Sequence, residues 1–280
     1  MGTLFVVATP LGNLEDLTYR ASRILSEVDL VAAEDTRRTR KLFTRYQIST
    51  RLISYREQNH VRVLPRLLKV LAEDQDVALV SDAGTPGVSD PGAFLVREAG
   101  ERGVRVVPVP GPSASACAIS VSGLPGSSYV FVGFLPAKKK ARLEALKGLK
   151  RERRTLIFYE APHRLKKSLQ DAAAVLGPRQ AVLGREMTKM HEEFIRGTLN
   201  EIAREIEHRP EAIRGEFTLV LAGSSKSEFK GLTKEELAEI IRKDDRPVRE
   251  IVADLVEIAS MSRSELYRLA LDVTGRKAAS

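Results

Sequence analysis

A rigid loop rich in glycine and proline, set between a strand-like and a helix-like segment, constrains this chain more than any other feature. Residues 81–92 read SDAGTPGVSDPG and follow the apolar run VALV at residues 77–80. Glycines permit backbone angles and close approach that a side chain would prevent, and prolines fix φ and lack an N–H donor. Open α/β sheets bind ligands at the carboxyl ends of their strands, so this loop predicts a ligand site built mostly from backbone.

A second loop of the same type follows one strand later. The pattern predicts a helix over residues 93–102 and a strand over residues 104–109, which we expect to form a right-handed crossover onto a neighbouring parallel strand. That strand ends in PGPSA at residues 110–114. Two such loops at one sheet edge predict a crevice for a ligand with amino, carboxylate and heterocyclic groups. A pair of tight turns is the alternative.

The alternation of strands and helices sets the expected fold class. It predicts an α/β protein with a largely parallel sheet that helices cover on both faces. We expect an N-terminal α/β domain over residues 1–114 and a second α/β domain over residues 115–224 that closes the ligand cleft. A small helical tail, similar to a helix-turn-helix, is expected over residues 225–280.

Two capping boxes support the helical tail. Thr233 with Glu236, and Ser262 with Glu265, have the spacing in which each side chain bonds the other residue's backbone N–H. Residues 226–280 hold eleven basic and eleven acidic residues. A neutral tail is compatible with a packing or shape-recognition module and also with RNA contact, so its role stays open.

The net charge of +8 is concentrated in one short segment. Residues 138–154 contain nine basic residues against two acidic ones. A basic run is the ordinary composition of a solvated helix face. Beside a predicted ligand crevice it also indicates contact with RNA, because neutralising phosphates supplies much of the affinity for nucleic acids.

Other features exclude functional classes. No run approaches the ~20 apolar residues of a membrane span, and the N-terminal apolar run lacks the basic region of a signal peptide, so we expect a cytoplasmic protein. One cysteine excludes an internal disulfide, and the four histidines lack metal-ligand spacing, so we expect no metal. The G-x-G-x-x-G fingerprint is absent.

Three segments together resemble the tetrapyrrole methylase superfamily, the class III S-adenosylmethionine-dependent methyltransferases. They are VATPLGNL at residues 7–14, the loop at residues 81–92 and VPVPGPSA at residues 107–114. Within the superfamily, the chain closely resembles the ribosomal RNA small subunit methyltransferase I family. The segments that distinguish this family are AEDTR at 33–37, the loop at 81–92, GFLP at 133–136 and LIFYEAPHR at 156–164.

The resemblance implies a two-domain class III fold and S-adenosyl-L-methionine held in the cleft between the domains. By position it implies cofactor contacts at Pro10, Gly84, Thr85, Val88, Ser113, Ala114, Tyr159, Met187, Phe217 and Thr218. It further implies a homodimer that acts on 16S rRNA or the small ribosomal subunit. The implied reaction is 2′-O-methylation of a cytidine ribose in the decoding region.

A ribose hydroxyl is a poor nucleophile, so a general base would help by roughly 10²- to 10⁴-fold. Glu34, Asp35 and Glu160 are carboxylates at predicted strand ends, and the Glu34–Asp35 pair is our first candidate. In the structural alternative, Asp35 caps the following helix and Glu34 forms an ion pair with Arg37 or Arg185.

Basic residues near the crevice are candidates for contact with RNA phosphates. Arg37, followed by Arg38 and Arg40, opens the helix after the carboxylate pair. The full set of expected RNA contacts is Arg37, Lys138, Lys139, Lys140, Arg142, Arg164 and Arg185.

Two other functions compete with the RNA enzyme. A class III methylase of a small molecule such as a tetrapyrrole would need neither the basic segment nor the helical tail. A non-catalytic nucleic-acid-binding regulator would not need the cofactor loops, and the tail is neutral.

Overall fold

The computed structural model describes residues 1–90, 92–209, 213–225, 232–256, 259 and 261–275. Pro91 of the first loop lies outside the described residues, as do parts of the predicted tail and its linker. The chain forms two compact units, Met1–Gly223 and Ser224–Ser280. Both predicted α/β domains fall within the first unit, and the boundary near residue 114 stays a prediction.

The first half of Met1–Gly223 forms a five-stranded parallel sheet with strand order β3-β2-β4-β1-β5. Its strands are β1 (Thr3–Val7), β2 (Leu30–Ala33), β3 (Leu52–Ser54), β4 (Val77–Val80) and β5 (Arg105–Val109). The helices between them are α1 (Tyr19–Glu27), α2 (Thr36–Tyr46), α3 (His60–Ala72) and α4 (Gly92–Glu101).

The central strands are buried on both faces, as helices on either side of a parallel sheet require. Every residue of β2 and β4 is buried. Alternate residues point to opposite faces, so Leu30 packs in one core cluster and Val31 in another. The predicted parallel, doubly covered sheet is therefore present.

The expected pairing of β5 with the strand before it is wrong. β1 lies between β4 and β5, with Val6 opposite Leu79 on one side and Pro108 on the other. The pattern along residues 77–109 indicates a parallel crossover from β4 to β5. It does not show whether another strand lies between these two in the sheet. The two loops still leave the same edge of the sheet, one strand further apart than expected.

Helix α5 (Ala114–Ser122) leads into a second, mixed sheet with strand order β6-β7-β10-β8-β9. β6 and β7 are parallel, and the other pairs are antiparallel. Its strands are β6 (Tyr129–Phe134), β7 (Thr155–Glu160), β8 (Gln180–Arg185), β9 (Glu193–Thr198) and β10 (Phe217–Leu221). Helices α6 (Lys139–Gly148), α7 (Pro162–Leu176) and α8 (Leu199–His208) share one apolar core with this sheet, and α5 packs on its other face.

The unit Ser224–Ser280 contains helices α9 (Lys234–Arg242), α10 (Val248–Leu255) and α11 (Arg263–Thr274). Both predicted capping boxes are confirmed at the starts of α9 and α11. The helices share a core that includes Leu237, Ile251 and Leu266. The tail residues 226–231, 257–258, 260 and 276–280 lie outside the described part of the chain.

The predicted fold class, α/β with a small helical C-terminal part, is confirmed. Among the residues that the structure describes, no helix combines the length and apolar character needed to cross a membrane.

Candidate active site

A cavity of about 340 Å³ opens where the loops of the first sheet meet the second sheet. Its volume is in the range of small-molecule sites. The first sheet contributes the loop after β4 and the start of α5, and the second contributes the ends of β6 and β7 and the start of β10. The lining residues on which the site is built are Glu34, Arg38, Asp82, Gly84, Thr85, Val88, Asp90, Ser113, Ala114, Phe134, Tyr159, Glu160, Glu216, Phe217 and Thr218.

Reciprocal backbone hydrogen bonds hold the first loop in place. The N–H of Thr9 donates to the carbonyl of Gly84 and the N–H of Gly84 donates to the carbonyl of Thr9, both at 2.9 Å. Gly84 has a φ of 81°, a region that side chains disfavour, and a Cβ there would meet Leu11 at 3.3 Å. The Thr85 hydroxyl donates to the carbonyl of Pro112 at 3.1 Å and so ties the two loops together.

The far end of the first loop is closed by Asp90. Its Oδ1 accepts the N–H of Gly87 at 2.8 Å and the N–H of Gly92 at 2.7 Å. One carboxylate oxygen therefore holds two backbone donors of the loop. This wall of the cavity is therefore ordered by the loop's own groups.

Tyr159 connects the second sheet to the second loop. Its hydroxyl accepts the N–H of Ser115 in the first turn of α5, at 3.1 Å. Burial raises the pKa of the Tyr159 hydroxyl, so the group stays neutral. The ring meets Phe131 and Phe134 edge-on, with centroids 4.9 and 5.8 Å away. The end of β7 is thus tied to the start of α5.

Two half-buried carboxylates lie next to each other on the cavity wall. Glu34 Oε2 accepts the N–H of Asp82 at 3.1 Å, and Asp82 Oδ1 accepts the N–H of Asp35 at 2.9 Å. Burial, together with the charges of Asp82 and Asp90, raises the pKa of Glu34. Burial is also the main cause that raises the pKa of Asp82. Within the described part of the chain, Glu34 Oε1 accepts no hydrogen bond, so it can receive a proton.

Asp82 is a cavity residue missing from the predicted site residues, and Arg38, which the sequence offers beside Arg37 as a candidate for phosphate contact, lines the cavity with it. Arg38 Nη1 lies 3.4 Å from Asp82 Oδ2, and both residues line the cavity. Asp82 lies two residues after the end of β4, in the glycine- and proline-rich loop, so its position near a strand end is the sequence signal that could identify it. Arg38, rather than its neighbour Arg37, faces the cavity.

The Glu34–Asp35 pair separates into two roles. Asp35 is the N-cap of α2, where Oδ1 accepts the N–H of Arg37 at 2.8 Å. The Arg37 guanidinium also holds both Asp35 oxygens and keeps the pKa of that carboxyl well below its usual range. Asp35 does not line the cavity, so the capping alternative describes it. The alternative ion pair of Glu34 is not formed, because Arg185 pairs with Glu193 at 3.3 Å.

Glu160 lines the cavity but its carboxylate is already engaged. Oε1 accepts the N–H of Ala161 at 2.9 Å and lies 3.1 Å from Arg164 Nε. Arg164 also donates to the carbonyl of Leu135. Its guanidinium therefore faces protein groups, which corrects the expectation that it contacts RNA phosphates.

The expectation that Arg142 contacts RNA is wrong as well. The side chain is buried, with Nη2 2.6 Å from Asp171 Oδ2. Its Nη1 donates to the carbonyls of Pro136 and Ala137 at 3.2 and 2.9 Å. A run of basic residues in a sequence does not show which of them is buried and paired and which are exposed.

The remaining predicted site residues divide into three groups. Gly84, Thr85, Val88, Ser113, Ala114, Tyr159, Phe217 and Thr218 line the cavity together. Pro10 and Met187 are not among the lining residues, and Met187 packs with Ile157 and Val220 in the core beneath α5. Lys138, Lys139 and Lys140 are exposed at the start of α6, and Arg37 is exposed on α2.

The charge of the cavity favours a cationic ligand. Among the described residues that line it, five carry carboxylates (Glu34, Asp82, Asp90, Glu160 and Glu216), and one, Arg38, carries a guanidinium. Further cations pair with lining carboxylates from outside the lining: Lys189 lies 3.1 Å from Glu216, and Arg164 lies 3.1 Å from Glu160. The lining therefore keeps a net excess of negative charge, but a smaller one than the five carboxylates alone would give. In the part of the chain that the structure describes, no group of three histidine, cysteine, aspartate or glutamate side chains could hold a metal ion. The arrangement can hold a small cation and accept a proton beside it.

Comparisons with known proteins agree with this geometry. Residues 3–203 match the family described as Tetrapyrrole (Corrin/Porphyrin) Methylases. The chain is 50% identical to the ribosomal RNA small subunit methyltransferase I of Halalkalibacterium halodurans over 225 residues, 80% of this chain and 77% of that protein. It is 42% identical to the protein of the same name from Escherichia coli O157:H7 over 276 residues, 98% of this chain and 96% of that protein.

Solved structures share the fold at low identity. The structure of a cobalt precorrin-4 methyltransferase aligns with 79% of this chain and 94% of its own chain. The TM-score is 0.61 and the sequence identity is 14%. Uroporphyrin-III C-methyltransferase from Thermus thermophilus, complexed with S-adenyl homocysteine, covers 79% of this chain, with 97% of that chain covered, a TM-score of 0.57 and 20% identity.

The raised pKa of Glu34 predicts a pH-dependent cost to stability. A carboxyl whose folded-state pKa exceeds its usual 4.5 lowers the free energy of unfolding as pH rises through that folded-state value. Glu34→Gln should therefore raise Tm at pH 7, and the difference from wild type should vanish below about pH 4. Thermal unfolding followed by circular dichroism across this pH range measures it.

Asp35→Asn is the matched control with the opposite sign. The pKa of Asp35 is lowered by Arg37, so its contribution is present above the usual 3.8 and is lost as pH falls towards the lower folded-state value. The asparagine should lower Tm at pH 7. An equal loss of Tm in both variants at neutral pH would contradict a half-buried Glu34 carboxylate that burial destabilises.

Proposed function

Because this chain belongs to the tetrapyrrole methylases and, within them, to the ribosomal RNA small subunit methyltransferase I family, we propose that it is an S-adenosylmethionine-dependent rRNA methyltransferase. Its expected product is a cytidine 2′-O-methylated in the decoding region of 16S rRNA. The observation that carries the proposal is the acidic, loop-lined cavity with Glu34 on its wall.

The residues of the cavity fit S-adenosylmethionine. The two tied loops around Gly84 and Ser113 would hold it from the first sheet, and Tyr159, Phe217 and Thr218 from the second. When bound, this cofactor supplies a methyl group on a positively charged sulfonium. The excess of carboxylates in the lining matches that positive charge.

Glu34 is the group best placed to accept the proton of a ribose hydroxyl. Its raised pKa makes it a stronger base than an ordinary carboxylate. The Asp82 N–H holds Oε2, so the carboxylate is oriented while Oε1 can receive the proton. Asp82 thus acts as a positioning residue, and burial is the main cause of the raised pKa of Glu34.

Glu160 is less suited to the same task. Its carboxylate is buried, where it accepts the N–H of Ala161 and forms an ion pair with Arg164. A proton accepted there would weaken that pair. We therefore propose Glu34 alone of the three predicted carboxylates as the base, with Asp35 and Glu160 in structural roles.

The exposed lysines near the cavity favour an RNA substrate, because a small molecule such as a tetrapyrrole would not need them. Lys138, Lys139 and Lys140 are exposed at the start of α6, four residues beyond Phe134 of the cavity lining. Arg38 adds a guanidinium to the lining itself. A ribosomal substrate also favours a cytoplasmic location. The homodimer, and RNA contact by the tail, stay predictions.

Replacement of Glu34 tests the proposal most sharply. Small ribosomal subunits that lack the modification are incubated with labelled S-adenosylmethionine, and the labelled nucleotide is mapped. We expect wild-type protein to label a cytidine 2′-oxygen, and Glu34→Gln to reduce kcat by about 10²- to 10⁴-fold with little loss of subunit affinity. The wild-type rate should fall at acidic pH as Glu34 becomes protonated.

The neighbouring Asp35→Asn serves as the control because it keeps a capping oxygen. Its turnover per folded molecule should match wild type. Equal turnover of Glu34→Gln and wild type would show that Glu34 is not the general base. Label found on a nucleobase atom, or on a small molecule, would contradict ribose 2′-O-methylation.

The exposed lysines predict the salt dependence of RNA binding. Changing Lys138, Lys139 and Lys140 together to serine should weaken subunit binding and flatten its log–log salt dependence by roughly 0.7–0.9 for each phosphate that the variant no longer neutralises. Arg142 stays unchanged in this variant because it is buried. Cofactor affinity, measured by calorimetry, should not change.

A matched triple variant on α3 distinguishes a specific surface from general positive charge. Arg62, Arg66 and Lys69 are exposed and none of them lines the cavity. Their replacement by serine removes the same charge. If both triple variants flatten the salt dependence equally, the start of α6 is an ordinary solvated helix end.

A further inference from the structure

Phe134 is a large apolar residue at the rim of the cavity with no role in the chemistry described above. It lines the cavity, yet 50% of its surface is exposed. Phe217 and Thr218, which line the same cavity, are 3% and 4% exposed. Phe134 therefore lies at the open side, where an incoming substrate is met first, rather than in the closed interior.

A β-bulge aims Phe134 at this position. The pairing of β6 with β7 shifts between Phe131 and Gly133, so one residue is unpaired just before the end of the strand. Gly133 has a φ of 72°, and a Cβ there would come within 2.9 Å of Ser89 Oγ in the first loop. Bulges redirect side chains near active sites. Here the bulge and the glycine bring the end of β6 against the Gly84 loop.

The backbone on the far side of Phe134 is held by two arginines. Arg164 donates to the carbonyl of Leu135, and Arg142 donates to the carbonyls of Pro136 and Ala137. Each arginine is itself anchored by a carboxylate, Glu160 or Asp171. Hydrogen bonds with a charged donor are among the stronger ones in proteins. The segment that carries the exposed ring is consequently fixed.

The ring of Phe134 is supported from one side by Tyr159. The two rings meet edge-on at 5.8 Å with an angle of 68° between their planes. Such a contact fixes an aromatic ring without covering both of its faces. Together with its exposure, this leaves apolar aromatic surface available towards the cavity.

We propose that Phe134 is the stacking platform for the base of the target nucleotide, a pyrimidine turned out of its RNA stack. The inference rests on the proposed function, since it assigns the substrate's base to this site. Proteins that recognise single RNA nucleotides bind bases that are splayed out of the stack, and aromatic side chains offset the stacking that such a base gives up. The exposed lysines that begin at Lys138 would meet the adjacent phosphates.

Rigidity makes this platform effective. A ring whose backbone is fixed before the RNA arrives loses little conformational freedom when a base stacks on it. Arg142 and Arg164 thus serve substrate binding through Phe134, although neither reaches the RNA. Phe134 contacts substrate, and the two arginines are positioning residues.

The test compares aromatic and aliphatic replacements at position 134. For Phe134→Ala and Phe134→Leu we expect kcat/KM on unmodified small subunits, at saturating S-adenosylmethionine, to fall roughly 5- to 150-fold, the range for removal of one base–aromatic stack. Phe134→Tyr should retain most of the wild-type value because it keeps the π-face. Affinity for S-adenosylhomocysteine, measured by calorimetry, should be unchanged in all three.

Tyr19→Ala is the control, because Tyr19 is a 98% exposed aromatic residue outside the cavity lining. It should match wild type. If Phe134→Leu also matches wild type, the ring is only an apolar wall and the stacking role is overturned. Parallel decreases of S-adenosylhomocysteine affinity and kcat/KM would assign the ring to the cofactor instead. If wild-type protein does not methylate the subunits, the proposed function fails and the nucleobase site fails with it.

Discussion

The reciprocal hydrogen bonds between Thr9 and Gly84 are the constraint on which the site depends. They join the loop after β1 to the loop after β4, and Thr85 extends the connection to the loop after β5. Because β1 lies between β4 and β5, all three loops leave one edge of the sheet side by side. The same fixed loop carries Asp82, whose N–H orients Glu34. The cofactor cradle and the proposed base are therefore positioned by one piece of backbone.

Arginine and lysine have separate tasks in the second sheet. Arg142 and Arg164 turn their planar guanidinium groups inward and bond backbone carbonyls of the segment after Phe134. The exposed charge at the start of α6 is carried by lysines, which remain hydrated and mobile. An Arg-to-Lys exchange at position 142 would not be conservative, since the compact ammonium lacks the planar fork whose separate nitrogens reach Asp171 and the two carbonyls.

Much of this architecture could be predicted from the sequence, because the predictable features are local. The glycine and proline loops, the fully apolar strands β2 and β4 and the capping box at Thr233 each depend on neighbouring residues. Glu34 could be assigned to the cavity because it directly follows a strand at the correct edge.

The features that could not be predicted depend on contacts between distant residues. Nothing within residues 77–109 shows that β1 separates β4 from β5. Arg142 has the same local composition as its exposed neighbours, and only the approach of Asp171 on α7 explains its burial. Met187 was expected at the cofactor, but it fills the core between α5 and the second sheet.

A crystal structure of the protein with S-adenosylhomocysteine tests most directly whether the loop-lined cavity and Glu34 form one catalytic site. The ligand is expected against the loops at Gly84 and Ser113, with its sulfur on the side of the cavity that Glu34 faces and with Phe134 still open to solvent. A ligand bound elsewhere, or one that places its sulfur away from Glu34 and covers the Phe134 ring with its adenine, would contradict both the cofactor site and the assigned base.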